Sequence, residues 1–381
     1  MRRLQVRTRA RPHEYEIRIG TGVLSEVGQI TRRCLGDQSR QIVTVSNKKV
    51  FALYGAALSK SLKTSGFTVQ PWLIGDGERY KSIGTVEELL VFLKKIGLER
   101  GDAVVSLGGG VVGDVTGFAA AVYLRGVQFI QVPTTLLAQV DSSVGGKTGV
   151  NFSGGKNMVG SFYQPTAVVA DIETLRTLPP RELTAGWCEC VKQGAISSPR
   201  LFNETANFLR ANDARRLSVS SQLEQLIAAH CAFKSSIVRA DEREDSKRSD
   251  NRSRRILNFG HTIAHALESV THYRRFRHGE AVGLGMLVAG ELSKNLGLLE
   301  QTELELLKAA VELCGPLPAA KDLDEGELIK ATGQDKKVSS GRVQWVLLER
   351  IGGPRIIDGK EISPTLLRKS LRAVFQRRLE S

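Results

Sequence analysis

Six histidines occur in 381 residues, and His261, His265 and His278 fall within one stretch, NFGHTIAHALESVTHYRRFRHGE. His261 and His265 are spaced i, i+4, which puts both rings on one helix face, a common geometry for a divalent metal. His278, in HGE, begins the next helical pattern. A catalytic zinc takes three protein ligands and keeps one position open, so an upstream carboxylate is the natural complement. Glu189, inside the apolar run AGWCECVKQG, is the best candidate, because a carboxylate there is costly unless paired or metal-bound. Cys188 and Cys190 flank it, but neighbours on a helix point apart. A lone histidine is ordinarily structural; the grouping is what points to a metal. His13, His230 and His272 read as structural or surface residues.

A second chemistry lies upstream. SLGGGVVGD follows a predicted strand and opens a helical pattern, and Gly108, Gly110 and Gly113 fit G-x-G-x-x-G. Such glycines let backbone approach a pyrophosphate seated on a helix N-terminus. No acidic residue stands about 20 positions further on to hold a ribose, so the usual dinucleotide arrangement is not matched, and a ligand-free glycine turn would give the same pattern. GDGERYKS supplies Asp76, Glu78 and Lys81 after another predicted strand, where they would face a ligand crevice or form an ordinary polar loop. The densest stretch is VDSSVGGKTGVNFSGGKNMVGSFYQP. Lys147 and Lys156 each follow a Gly-Gly pair, with Asn157 beside the second, a composition suited to phosphate or another anion. The P-loop spacing is absent.

The elements that must position these groups change character along the chain. QIVTV, FTVQPWLI, DAVVSL, VQFIQVP and AVVADI read as short buried strands, alternating with helical patterns, the clearest over 85–98. That alternation argues a mostly parallel α/β sheet. After Leu178-Pro179-Pro180 strand-like runs become scarce, and helical patterns follow over 181–196, 218–238, 262–270, 280–296 and 303–313. The expected organisation is therefore an α/β Rossmann-like domain over 1–178 and a mainly α-helical domain over 179–381. The segment DEREDSKRSDNRSRR, 241–255, reads as an exposed charged loop.

Composition narrows the function classes. Lys and Arg number 54 against 40 Asp and Glu, a net charge of +14. Aromatics make up only 6% and nowhere interleave with the basic residues as a base-stacking surface requires, so nucleic acid is a poor explanation; an anionic small molecule remains. No apolar run approaches the roughly 20 residues of a membrane span. The opening MRRLQVRTRARPHE lacks the apolar core of a secretory signal. Five cysteines make no disulfide framework. A reduced, cytoplasmic enzyme is expected.

Taken in order, SLGGGVVGDVTGFAAAVYLRG, VPTTLLAQVDSSVGGKTGVN, GGKNMVGSFYQP, GWCECVK, LNFGHTIAHALE, HGEAVGLGM and GQDKKVSSG resemble the 3-dehydroquinate synthase family of sugar-phosphate cyclases, over about 75–352. The resemblance implies a Rossmann-like NAD domain, a helical domain carrying one divalent metal (zinc or cobalt), and conversion of 3-deoxy-D-arabino-heptulosonate 7-phosphate to 3-dehydroquinate and phosphate. By motif, NAD contacts fall on Asp76, Gly77, Glu78, Arg79, Tyr80 and Lys81, on Gly110, Val111, Val112, Gly113 and Asp114, on Thr134 and Thr135, on Lys147 and Lys156, and on Thr174, Leu175, Arg176 and Thr177. The metal ligands are Glu189, His261 and His278, and the resemblance turns His265 into a substrate contact. Further substrate groups are Asp141, Lys147, Asn157, Lys192, Lys234, Glu244, Asn258, one of Lys336 and Lys337, and Arg125 reaching a neighbouring subunit, which implies a homodimer. The family's Gly-x-Arg before LNFGH is replaced here by a longer segment without that glycine. Arg254 is in register with the family arginine that holds the substrate carboxylate, with Arg252 and Arg255 as alternatives. Related cyclases and metal-dependent polyol dehydrogenases share this architecture.

Overall fold

The computed structural model describes residues 13–153, 155–245, 247–334 and 343–376. Lys336 and Lys337 lie outside the described residues. Six strands form one sheet: β1 (Glu16–Gly20), β2 (Gln41–Asn47), β3 (Thr68–Ile74), β4 (Ala103–Gly108), β5 (Gln128–Pro133) and β8 (Ala167–Asp171). Their order is β1-β8-β5-β4-β2-β3, and every pairing is parallel. β4 and β8 are buried at every position, as strands covered on both faces must be. β3 is an edge strand and tolerates Pro71, whose missing N–H would break a central ladder.

The sheet is covered on both sides. Val27 and Ile30 of α1 (Val27–Leu35) and Leu58 and Leu62 of α3 (Ala56–Thr64) pack with Ile42, Val105 and Ile130; a single turn, α2 (Lys48–Val50), precedes α3. On the other face, Leu89 and Leu93 of α4 (Ile83–Lys95) and Val112 and Val115 of α5 (Gly110–Val122) pack with Val43, Val104 and Phe129. The connection from β2 to β3 runs away from that between β4 and β5. This reversal opens a crevice beyond the carboxyl ends of β2 and β4, the usual ligand position in such sheets.

The glycine- and lysine-rich stretch forms an antiparallel hairpin apart from the main sheet, β6 (Lys147–Phe152) with β7 (Gly155–Phe162). Its two lysines therefore stand on strands.

The second half begins with α6 (Pro180–Ser197), whose Pro180 sits in the first turn, where a missing N–H costs nothing. There follow α7 (Pro199–Ala211), α8 (Ser221–Ala240), α9 (His261–Val270), α10 (His278–Asn295), α11 (Gln301–Glu312), α12 (Glu325–Gln334) and α13 (Pro364–Phe375). The expectation of few strands misses a hairpin here, β9 (Gln344–Arg350) with β10 (Gly353–Asp358).

Helices α6 and α10 form the centre, buried without interruption over 183–196 and 279–293. Two glycines bring α10 to its neighbours. A Cβ at Gly279 would lie 1.9 Å from Ala185 O on α6, and one at Gly285 would lie 2.0 Å from Gly260 O, just before α9. Leu136, Val140, Ile172 and Leu175 of the first half share this core, so the halves are packed together. Among the described residues no helix is long and apolar enough to cross a membrane.

Candidate metal and nucleotide site

Glu189 lies midway along α6 with its side chain fully buried. His261 and His278 are the first residues of α9 and α10, the helix starts that Gly279 and Gly285 draw inward. His261 Nε2 is 3.9 Å and His278 Nε2 3.8 Å from Glu189 Oε1. Two atoms can share one ion with bonds of about 2.1 Å only when they lie within roughly 4.2 Å of each other, and both pairs meet that condition. Neither Glu189 oxygen accepts an aligned hydrogen bond, although Lys192 Nζ sits 2.5 Å from Oε2. A buried carboxylate with unused lone pairs facing two imidazoles fits a divalent metal.

The far nitrogens of both rings are also engaged. His261 Nδ1 lies 3.2 Å from Phe259 O, and His278 Nδ1 lies 3.3 Å from Glu268 Oε1. Burial, reinforced by Lys192 and the neighbouring rings, holds His261 well below the usual histidine range, which keeps a neutral imidazole available as ligand. His265 packs edge-on against His261, with ring centroids 5.6 Å apart, but is not part of the ligand cluster. The i, i+4 pairing is thus replaced by ligands on three helices. Cys188 and Cys190 are buried and likewise outside it.

Around this cluster the lysines are paired with acids. Lys234 Nζ, from α8, is 2.8 Å from Asp141 Oδ1 and donates to Asp141 O at 2.6 Å. Burial pushes the Asp141 carboxyl up, but Lys234 and Lys192 together hold it below the usual range. Burial brings Lys234 down despite Asp141. Gln193 Nε2 donates to Val140 O at 3.0 Å and to Asp141 Oδ1 at 3.3 Å, while Gln193 Oε1 faces His230 Nδ1 at 3.2 Å. Lys147 pairs with Glu244, which also accepts from Asn258 Nδ2 at 3.4 Å. Asn157 is exposed on β7 with φ of 53°.

The charged 241–255 segment is not exposed throughout: Ser253, Arg254 and Arg255 are buried. Arg254 donates to Glu242 O and Gly145 O and retains an unpartnered Nε. Arg255 turns the other way, to Gln344 and Arg248 O, and Arg252 is exposed. Of the three, only Arg254 touches the Gly-Gly turn before Lys147.

On the nucleotide side, β4 ends at Gly108 and α5 starts at Gly110, with no side chain capping its free N–H groups. A Cβ at Gly109 would lie 3.0 Å from Thr135 Cγ2, and one at Gly110 would lie 3.2 Å from Ser142 Oγ. This uncapped, side-chain-free helix start at the switch point fits a pyrophosphate. Val111, Val112 and Gly113 continue the same turn. Lys81 is buried 2.5 Å from Asp114; burial would lower it, but Asp114 and Glu78 carry it above the usual lysine range. Thr134 N–H donates to Gly108 O. Asp76 pairs with Lys49, and Arg79 stacks over Tyr80 beyond Gly77. Glu78 accepts from Asn151 at 3.0 Å and lies 3.7 Å from Lys156.

Several expected residues lie less directly in the site. Thr174 Oγ1 already donates to Asp171 O, the Leu175 side chain belongs to the core, Arg176 pairs with Glu173, and Thr177 meets Tyr54 OH. Arg125 follows the far end of α5, an exposed position roughly 20 Å along the helix from Gly110. Within one chain it does not join the cluster. Two residues of the site were missed from sequence. Glu268 stands i+7 from His261 on the same stripe of α9, a spacing that could have flagged it. Gln139 donates to Pro133 O, Asp171 O and Thr174 Oγ1, tying together the loops after β5 and β8.

An open parallel sheet with a glycine turn at its switch point, joined to helices presenting a buried Glu-His-His cluster, is built to bring a nucleotide and a metal to one cleft. The 3-dehydroquinate synthase N-terminal family matches residues 71–185 and the C-terminal family residues 186–338. A 3-dehydroquinate synthase from Nostoc sp. (strain PCC 7120 / SAG 25.82 / UTEX 2576) is 41% identical, covering 90% of this chain and 93% of its own. One from Pelotomaculum thermopropionicum is 42% identical over 91% and 90%. A crystal structure of 2-deoxy-scyllo-inosose synthase with carbaglucose-6-phosphate, NAD+ and Co2+ superposes with TM-score 0.81 at 28% identity, covering 94% of this chain and 96% of that one. The 2-epi-5-epi-valiolone synthase of Streptomyces hygroscopicus subsp. jinggangensis 5008, with NAD+ and Zn2+ bound, shares the fold with TM-score 0.86 at 22% identity, over 98% and 100%. The chain belongs to the 3-dehydroquinate synthase family.

Proposed function

We propose that the chain converts 3-deoxy-D-arabino-heptulosonate 7-phosphate to 3-dehydroquinate and phosphate, a step of the shikimate pathway toward aromatic amino acids, with NAD and one divalent metal, zinc or cobalt. The observation that carries this reading is the convergence of Glu189, His261 and His278 within 4.8 Å of one another, joined to the nucleotide loop through Lys156 and Glu78. When bound, NAD supplies a transient hydride acceptor that is restored within the cycle, and the metal supplies a Lewis acid for the substrate hydroxyls.

The chain's own residues hold and orient the substrate. Lys147, with Lys336 or Lys337, neutralises the phosphate as it leaves, and the Asn157 amide donates to it. Lys234 and Arg254 hold the carboxylate, Arg254 through the Nε that no group among the described residues uses. Asp141 and Lys192 fix the ring hydroxyls, and Asn258 and His265 orient the reacting oxygen. Glu244 positions Lys147 and Asn258. Arg125 reaches the site of a second copy, so the working unit is a cytoplasmic homodimer, with no nucleic acid or membrane partner.

Phosphate release from the heptulosonate phosphate, measured with and without chelator and NAD, tests this reading. Release that needs both cofactors, with no accumulating NADH, is the expected result. Steady NADH build-up on a polyol substrate would instead make the chain a dehydrogenase of the same architecture, and turnover confined to non-carboxylated sugar phosphates would make it another cyclase.

A further inference from the structure

A metal-binding imidazole works only if the correct nitrogen faces the ion, and the group on its far nitrogen decides that. His261 has a backbone carbonyl there, Phe259 O at 3.2 Å. His278 has a side chain, Glu268, whose Oε1 lies 3.3 Å from Nδ1. The Glu268 side chain is 2% exposed, and its other oxygen has no hydrogen-bond partner among the described residues. The cation that balances it comes from the other half of the molecule. Lys156 on β7 donates to Glu268 Oε1 at 2.9 Å and stands 3.7 Å from Glu78 in the nucleotide loop. A continuous chain of contacts thus runs Glu78, Lys156, Glu268, His278, Glu189.

We propose that Glu268 is a positioning residue for the metal: it fixes His278 in the orientation and tautomer that offer Nε2 to the ion, and Lys156 fixes Glu268. The proposal rests on the metal site assigned above. A buried carboxylate at this place serves no packing purpose that an apolar side chain would not serve better. Among the described residues its side-chain partners are the ligand and a lysine of the nucleotide half, and that lysine lies closer to Glu268, at 2.9 Å, than to Glu78, at 3.7 Å. The geometry also ties metal affinity to the hairpin, since a shift of β7 moves Lys156 and with it the acceptor of His278.

The test is the zinc dissociation constant of the nucleotide-free protein, measured by competition with a chromophoric chelator. Wild type is expected to bind one zinc per chain. Glu268→Gln keeps the volume and one acceptor oxygen but loses the charge, and should bind zinc about 10-fold more weakly; Glu268→Ala should bind about 100-fold more weakly. A role in packing alone would lower the melting temperature of the zinc-free protein and leave the zinc constant of the folded fraction unchanged. Zinc constants within twofold of wild type for both variants overturn the proposal while leaving the metal site intact. Failure of the wild type to bind zinc overturns the metal site and the proposal with it. Nitrogen-15 NMR of the zinc-loaded wild type gives a check independent of the variants: His278 should carry its proton on Nδ1 and the metal on Nε2, and the reverse arrangement overturns the proposal.

Discussion

His230 is the most deeply buried histidine of the described residues, and acid should find it. From α8 its side chain is fully enclosed against α6 and α7, with Nε2 3.1 Å from Thr205 Oγ1 and Nδ1 3.2 Å from Gln193 Oε1. Both partners can accept, which favours the imidazolium. No carboxylate touches the ring, however, and burial pushes it down from 6.5 to about 3. A group whose folded pKa is depressed below the unfolded one contributes fully above the unfolded value and loses that contribution as pH falls toward the folded one. At pH 5 the shortfall is about 1.5 pH units, or about 2 kcal/mol. His230→Gln removes the titration and retains a polar side chain. Urea unfolding of metal-saturated protein at pH 7 and pH 5, followed by tryptophan fluorescence (Trp187 and Trp345 both lie in the helical core), should show an acid loss about 2 kcal/mol larger in wild type than in the variant. Equal losses in the two proteins would mean the folded ring takes up its proton over the same pH range as in the unfolded chain, with the hydrogen-bond acceptors offsetting burial.

Lys147→Ala should lower kcat/KM by at least about 100-fold, about 2.7 kcal/mol of transition-state stabilisation, with little change in unfolding midpoint because the side chain is half exposed; retained turnover removes Lys147 from the phosphate site. Gly285→Ala places a Cβ 2.0 Å from Gly260 O, so α10 and the start of α9 must separate. Loss of zinc binding together with a stability cost above about 2 kcal/mol is expected, and a variant that binds zinc normally would show that the glycine contact does not set the ligand spacing. Chelation should abolish turnover, zinc should restore it, and zinc at 1,000 times its dissociation constant should stabilise the protein by about 4 kcal/mol. A melting temperature indifferent to zinc argues that the ion does not bridge α6, α9 and α10.

The central strands were legible because β4 and β8 are almost entirely apolar and β5 nearly so, broken only by Gln128 and the buried Gln131, the pattern that burial on both faces imposes. β1 was not: EIRIG alternates, and its Glu16 and Arg18 pair on the open edge, so only the sheet reveals that it is a strand. The β6–β7 stretch hid for the opposite reason. Its glycines, which suggest a loop, serve close approach between strands; a Cβ at Gly160 would lie 2.1 Å from Thr148 O. Helical spacing favoured His261 with His265 because the rule operates within one helix, whereas the ligands come from three. Nothing in the spacing of Glu189 from His261 records that Gly279 and Gly285 pull three helices together. Motif resemblance supplied what periodicity lacked. Arg254 shows the remaining limit, since its burial depends on Asp241 accepting from its backbone N–H at 2.8 Å across a loop that reads as merely charged.

The surplus of positive charge does not by itself make the anion site. Among the described residues, each lysine assigned to substrate or nucleotide is matched with an acid: Lys81 with Asp114, Lys147 with Glu244, Lys156 with Glu268, Lys192 with Glu189, Lys234 with Asp141. Burying an ammonium group is costly unless it is paired, so the acids are what allow lysines to stand inside the cleft. The pairing also sets the cost of using them, because an incoming anion must be a better partner than the carboxylate already there. For Lys192 and Lys234, buried against acids on α6 and the turn after β5, the carboxylates stay and the substrate must share. Lys147 differs. It is half exposed, and Glu244 sits in the charged segment with φ of 57°, a backbone conformation that a non-glycine residue holds at a cost. A dianionic phosphate can displace that single carboxylate more readily than it can the buried ones. The group expected to receive and release phosphate is therefore the one whose resident acid is easiest to move.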